Sequence, residues 1–317
     1  MVNLSILPAE ASATCLCVGS FLRSLPEPLR SRLHVQPSPT PSTDALMWLP
    51  NIAQGDTSGR LREILLAAPR IRFVQLPMTG VEHFMPLMRE MQGRRIVWCS
   101  AKGCYSALVA EHALALCLGM LKGLHGRSVE NESLFRKKVL IVGRGSIATQ
   151  LSALLSPFDC ALSYTDSSSS SAQLHSAASQ AQVIFITCPL TPSTANLFNT
   201  TLLAALDPHA LLINIARGHI INTTALLHSL AANPAQRAAL DVVHYSSAHE
   251  KQQLEMLERQ GRVLITHHAA IPSKLIPEVL GERLCWNLRV LVDVEEGKVD
   301  VQDEEAWKGR VDVGKGY

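Results

Sequence analysis

The stretch K-V-L-I-V-G-R-G-S-I-A, Lys138 to Ala148, decides how the rest of the chain is read. Val139 to Val142 form a short apolar run of the kind that makes a buried strand. Gly143 and Gly145 then turn the chain, and Ile147, Leu151, Leu154, Leu155 and Phe158 recur at helical spacing behind them. A strand that ends in G-x-G-x-x-A and opens a helix makes a dinucleotide-binding turn. The first Gly allows the bend, the second lets the backbone approach a pyrophosphate, and the small Ala148 lets helix and strand pack closely. Free N–H groups and the positive end of the helix then face the phosphates. Glycine turns are common in α/β proteins, so the pattern alone is weak. Its context adds Asp166, which closes the next strand, Ala161 to Thr165, where an acidic side chain accepts hydrogen bonds from an adenosine ribose.

Outward from this turn the chain alternates strands and helices in both directions. Downstream, strands are expected at 139–143, 161–166, 182–188, 211–216, 238–243 and 262–267, with helices near 146–156, 194–206, 222–232 and 247–259. Six such strands suit a doubly wound dinucleotide domain. Upstream, Thr14–Gly19, Leu33–Gln36, Ala45–Pro50, Ile71–Pro77 and Arg95–Ser100 read as strands, and segments near 22–32, 57–68 and 81–92 as helices. That alternation implies a second parallel sheet covered on both faces. Ser106 to Leu124 reads as one long helix that leads through Gly123 to Ser133 into the glycine turn, a natural hinge. A last helix near 273–296 is expected to return to the first domain, with a charged surface tail from Glu295. The serines Ser167–Ser171 read as a mobile surface loop rather than a phosphate nest.

Composition narrows the function. A chain of 317 residues suits two domains, and a hydrophobic fraction of 47% allows ample core. A net charge of +2 makes no case for nucleic acid or a membrane surface. The longest apolar run, Ala107 to Leu121, holds Glu111 and His112 and is too short to span a bilayer. The apolar patch Thr14 to Phe21 has no basic flank before it and reads as a first strand rather than a signal peptide. Eight scattered cysteines without a C-x-x-C pair indicate free thiols in a reducing compartment, hence the cytoplasm. The histidines show no metal-ligand spacing, so no metal is expected.

Ligands of such sheets bind outside the carboxyl ends of the strands. Four strand ends there carry chemistry: Thr187, Cys188 and Pro189; Ala216, Arg217 and Gly218; Asp241; and His267 with His268. A guanidinium at a sheet edge suits bidentate capture of a carboxylate, although a plain strand-end salt bridge uses the same residue. His268 could move a proton near neutral pH or serve only structure, and His267 blurs which of the two matters. Asp241, inside an apolar strand, needs a partner, a bound carboxamide being one of several.

Six ordered motifs complete the picture: T-G-V-E-H at 79–83, V-A-E-H at 109–112, C-P-L-T-P-S-T at 188–194, N-I-A-R-G at 214–218, A-L-D-V at 239–242 and T-H-H-A-A at 266–270. With the glycine turn, from about Arg72 to Ile271, the chain resembles the D-isomer-specific 2-hydroxyacid dehydrogenase family, its glyoxylate and hydroxypyruvate reductases included. The resemblance implies an α/β protein in which a Rossmann-type doubly wound parallel sheet, residues 106–284, is inserted into a flavodoxin-like α/β substrate domain, residues 1–105 and 285–317. It implies a homodimer that uses NAD, or NADP, to interconvert a small 2-oxo acid and its 2-hydroxy acid. Arg217 would hold the substrate carboxylate and carbonyl oxygen, and His268 would exchange the proton. Thr79, Gly80 and Val81 would grip the carboxylate. Gly143, Arg144, Gly145, Ser146, Ile147 and Asp166 would line the pyrophosphate and ribose, with Thr187, Cys188, Pro189, Ala216, Asp241 and His268 along the rest of the cofactor. Asp166 without an adjacent arginine favours NAD, since a carboxylate repels a 2′-phosphate.

One position departs from the family. A glutamate five residues after the aspartate of A-L-D-V normally hydrogen-bonds the catalytic histidine, and here that position is Ser246, with Glu250 the nearest carboxylate. His267 likewise stands where a proline is usual. A dinucleotide-sensing protein with weak or lost catalysis is therefore the alternative to an active dehydrogenase. A different Rossmann ligand, such as S-adenosylmethionine, has no use for Arg217 and His268.

Overall fold

A computed structural model describes residues 1–8, 16–50, 55–124 and 131–317. The chain forms two compact units, Met1–Tyr105 with Pro272–Tyr317, and Ser106–Ile271.

The first unit holds β1 (Val2–Leu7), β2 (Leu33–Gln36), β3 (Ala45–Trp48), β4 (Phe73–Gln75) and β5 (Val97–Cys99), with α1 (Val18–Ser24), α2 (Glu27–Arg30), α3 (Ser58–Ala67) and α4 (Met85–Glu90). Its all-parallel sheet has the order β2-β1-β3-β4-β5, the flavodoxin-like arrangement.

The second unit holds α5 (Ser106–Leu121), β6 (Lys138–Val142), α6 (Ser146–Leu155), β7 (Ala161–Thr165), α7 (Ser171–Gln180), β8 (Val183–Ile186), α8 (Thr200–Ala204), β9 (Leu211–Asn214), α9 (Thr223–Ala232), β10 (Arg237–Leu240), α10 (Ala248–Arg259) and β11 (Val263–Ile265). Its six parallel strands run β11-β10-β9-β8-β6-β7. The central strands β8, β9 and β10 are buried at every position, as a parallel sheet under helices on both faces requires. The edge strand β7 alternates exposed and half-buried residues up to the buried Thr165. Strand order reverses between β6 and β8, so the crevice for a ligand opens beside the glycine turn. The last helix, α11 (Ile276–Glu295), belongs to the first unit and packs on β1 and α2.

Several expectations need correction. The first strand is Val2–Leu7, not Thr14–Gly19. Thr14 and Cys15 lie outside the described residues, and Val18 opens α1, with Leu16, Phe21 and Leu25 buried at helical spacing. The helix expected over 22–32 breaks into α1 and α2 because Leu25, before Pro26, is extended. The helix expected over 194–206 shrinks to Thr200–Ala204. Upstream of it, the Thr194 hydroxyl accepts from the Thr191 amide and donates to the Pro189 carbonyl, local bonds that compete with helix formation.

The serine run is not a mere loop. Ser170 caps a helix absent from the expectation, α7, in a reciprocal capping box with Gln173. The return to the first unit falls at Pro272 rather than residue 285, since a boundary at 285 would cut the continuous α11. The charged end is no surface tail either. Trp307 is 4% exposed and stacks on Phe73 with ring centroids 5.1 Å apart, while Val311 donates its N–H to the Trp98 carbonyl at 2.9 Å. The hinge expected between α5 and the glycine turn includes residues 125–130, which lie outside the described residues.

Candidate active site

The glycine-turn end of the second sheet is built almost wholly from backbone. Gly143 ends β6 with φ +113°, a conformation side chains avoid, and a Cβ there would lie 2.7 Å from Thr187 Oγ1 and 2.8 Å from the Cys188 nitrogen. Only glycine lets β6 and the end of β8 come this close. Gly145 then stands at the head of α6, which has no side-chain cap, and a Cβ on it would meet nothing within 4 Å. The first amides of α6, from Ser146 and Ile147, thus open outward at the positive end of a ten-residue helix. Ser106 Oγ donates to Ser146 Oγ at 2.7 Å and sets that side chain. Burial pushes the Cys188 thiol up to about 11, so it stays neutral. Pro189 is exposed, its carbonyl held by the Thr194 hydroxyl at 2.7 Å.

Asp166 is half-buried where β7 ends. The Ser168 hydroxyl and amide both donate to its Oδ1, at 2.6 and 2.9 Å. Those bonds, with a weaker pull from Arg144, hold the carboxyl below the usual aspartate value. Arg144 lies 4.0 Å from Asp166 Oδ2 and over the Tyr164 ring at 5.2 Å. The premise that no arginine adjoins Asp166 therefore holds in sequence and not in space: the turn folds Arg144 back over β7.

At the other end, β9, β10 and β11 are neighbours, so their carboxyl ends set Arg217, Asp241 and His268 along one edge of the sheet. Asn214, fully buried, braces the first of these turns. It accepts from the Ala216 amide and donates to the Arg217 carbonyl, both at 3.0 Å. Arg217 is half-buried, and its Nη1 donates to the Ala216 carbonyl at 2.8 Å. Gly218 presses on the next turn so closely that a Cβ would sit 2.5 Å from the Val243 and His244 backbone. Beyond it His219 and His244 stack at 3.8 Å.

Asp241 is 1% exposed. Its Oδ1 accepts from the Thr266 hydroxyl at 2.6 Å and the Ala269 amide at 2.8 Å, and lies 3.2 Å from His112 Nε2. Burial by itself raises this carboxyl, but the His112, Thr266 and Ala269 donors outweigh it and hold it at about 2. The backbone carbonyl of Asp241 accepts from the His268 amide at 2.6 Å. His267 and His268, both exposed, are held in the left-handed region at φ 50° and 61°. The second carboxylate oxygen, Oδ2, is buried and has no hydrogen-bond partner among the described residues. A buried bare carboxylate oxygen calls for a further donor, as the amide group of a ligand would supply.

Ser246 is exposed, and its amide donates to Glu250 Oε2 at 2.6 Å. The other Glu250 oxygen takes a short bond from the Thr224 hydroxyl. Glu250 is thus committed to the Ser246 amide and to Thr224 of α9, and does not substitute for an acid at position 246. In the first unit, Thr79 is exposed, Gly80 half-buried and Val81 buried, just before a turn where the Phe84 amide bonds the Val81 carbonyl. Among the described residues no three His, Cys, Asp or Glu side chains gather into a possible metal site, and no helix is long and apolar enough to cross a membrane.

Residues 121–270 match the family model for the D-isomer-specific 2-hydroxyacid dehydrogenase NAD-binding domain. The chain carries the NAD-binding domain of the D-isomer-specific 2-hydroxyacid dehydrogenases. The dehydrogenase likeness extends past that domain. An uncharacterized protein in the proB 3′ region of Corynebacterium melassecola is 26% identical over 255 residues, 73% of this chain and 82% of the other. The hydroxyphenylpyruvate reductase of Plectranthus scutellarioides is 25% identical over 211 residues, 60% of this chain and 67% of its own. The crystal structure of a glyoxylate reductase from Paecilomyes thermophila superposes with a TM-score of 0.75 at 15% identity, covering 99% of both chains, and so shares the fold.

NAD as the cofactor fits what the dehydrogenase domain displays: an uncapped helix head behind two glycines, and the bare Asp241 oxygen. Sequence alone assigns no role to three residues of this site: Asn214, His112 and Thr266. Each lies inside one of the motifs N-I-A-R-G, V-A-E-H and T-H-H-A-A, and that membership is the signal the sequence carries for it.

Proposed function

We propose that the chain reduces a small 2-oxo acid to the corresponding 2-hydroxy acid with NADH. When bound, the nicotinamide supplies hydride to the carbonyl carbon. Arg217 binds the carboxylate and carbonyl oxygen of the substrate, its planar fork matching that pair of acceptors. His268 donates a proton to the oxygen as charge develops there, and recovers one in the reverse direction. Thr79, Gly80 and Val81 bind the substrate carboxylate through backbone amides. Gly143, Arg144, Gly145, Ser146, Ile147 and Asp166 bind the pyrophosphate and ribose, with Thr187, Cys188, Pro189, Ala216 and Asp241 along the remaining cofactor. The observation that carries this reading is the placing of Arg217, Asp241 and His268 at the ends of three neighbouring strands, with Asp241 clamping the His268 turn. The seven cysteines among the described residues are all free, which supports a cytoplasmic protein, and the family resemblance supports a homodimer.

The Glu250 arrangement favours a second reading, a dinucleotide sensor with weak catalysis. Glu250, the carboxylate nearest in sequence, is taken by the Thr224 hydroxyl and the Ser246 amide and does not stand in for the family's glutamate as a counter-charge to His268. NADH oxidation with glyoxylate, hydroxypyruvate and hydroxyphenylpyruvate separates the two. Steady turnover on one of them is expected. Measurable NADH binding with no turnover across the panel would overturn the dehydrogenase in favour of the sensor.

A further inference from the structure

His112 sits on α5, and its Nε2 lies 3.1 Å from Thr266 Oγ1 and 3.2 Å from Asp241 Oδ1. Thr266 has one hydroxyl proton, committed to Asp241 Oδ1 at 2.6 Å, so its oxygen is left to accept. Both atoms facing Nε2 are therefore acceptors, and the ring must carry hydrogen there. Oδ1 already receives Thr266 and the Ala269 amide without His112. The histidine thus adds orientation rather than satisfaction. A third donor on the same oxygen fixes the plane of the carboxylate, holding Oδ1 toward the His268 turn and Oδ2 away from every donor among the described residues. The turn needs such a clamp, because each left-handed residue other than glycine costs roughly 1–2 kcal/mol.

We propose that His112 is a positioning residue of this site. By donating from Nε2 to Thr266 and Asp241, it presents the bare Oδ2 to the carboxamide of the nicotinamide while Asp241 holds His268 in its turn. The proposal rests on the reading of this unit as an NAD site, and a binding measurement tests the two separately.

Calorimetry would compare NAD with acetylpyridine adenine dinucleotide, which has an acetyl group in place of the carboxamide and no N–H to donate. Wild type is expected to prefer NAD by about tenfold, the worth of one hydrogen bond to a charged acceptor. His112→Phe should shrink that preference to within about twofold, and His112→Gln, which keeps a side-chain N–H, should restore most of it. With a turned-over oxo acid, kcat should fall in the Phe variant more than KM rises. A Phe variant that keeps the wild-type preference overturns the proposal. So does one that weakens both dinucleotides equally, in step with a lower Tm, since that is a structural role only. Wild type that binds neither dinucleotide overturns the NAD reading itself, and the proposal with it.

Discussion

The two ends of the second sheet solve different problems. At the β6–α6 turn the work is done by shape: a glycine that permits φ +113°, a second that leaves open space, and helix amides without a cap. At the ends of β9, β10 and β11 the work is done by side chains from distant positions, His112 meeting Thr266 across 154 residues of sequence. A backbone site needs few residue identities and survives drift elsewhere. An assembled polar site depends on every member, because a buried group that loses its partner keeps its desolvation cost. In this chain the first is complete, whereas at the second Ser246 stands where the family resemblance leads one to expect a glutamate.

Substitutions at the two ends should therefore fail differently. The largest effect is expected from His268→Gln, with kcat lowered roughly a thousandfold as general acid catalysis is lost. NAD affinity should stay within about threefold, because His268 reaches the cofactor region through its backbone clamp. Steady-state kinetics beside calorimetry would read this, and an equal loss of affinity would erase the distinction between the ends.

Gly143→Ala should do the reverse. The strained φ and the contacts at 2.7 and 2.8 Å should cost on the order of 3 kcal/mol in denaturant unfolding and abolish dinucleotide binding. An alanine variant that binds NAD normally would show that the turn is not set by sterics. The smallest effect sharpens the contrast: Ser246→Glu should raise kcat/KM about tenfold, as an orienting carboxylate returns, with NAD affinity unchanged. A variant no faster than wild type would mean that Ser246 is not what limits catalysis.

What could be read from the chain follows the same division. The glycine turn, the buried strands β8 and β9 and the strand-end residues Arg217, Asp241 and His268 are local patterns, and local patterns are visible in sequence. β1 escaped notice because Asn3 and Ser5 interrupt its apolar residues, although Ser5 is fully buried. α7 escaped because its start is a serine run, whose one informative feature is the spacing of Ser170 and Gln173. The segment after Glu295 reads as a surface tail because acidic and basic residues surround Trp307 and Val311, the two that are buried. The Asp241 clamp and the approach of Arg144 to Asp166 are tertiary facts that no periodicity encodes. Glu250 was legible as the nearest carboxylate, but its capture by Thr224 was not.

The strap formed by residues 307–311 has a consequence for how the chain is made. The Ser100 amide bonds the Gly309 carbonyl at 2.8 Å, and Cys99 bridges Arg310, so the outer edge of β5 is covered by residues from more than 200 positions later. During synthesis that edge stays bare until the strap emerges, whereas every strand of the second sheet is already available. The unit written second is thus able to close before the unit written first. Until then an unpaired parallel edge is the part of the nascent chain most in need of a chaperone.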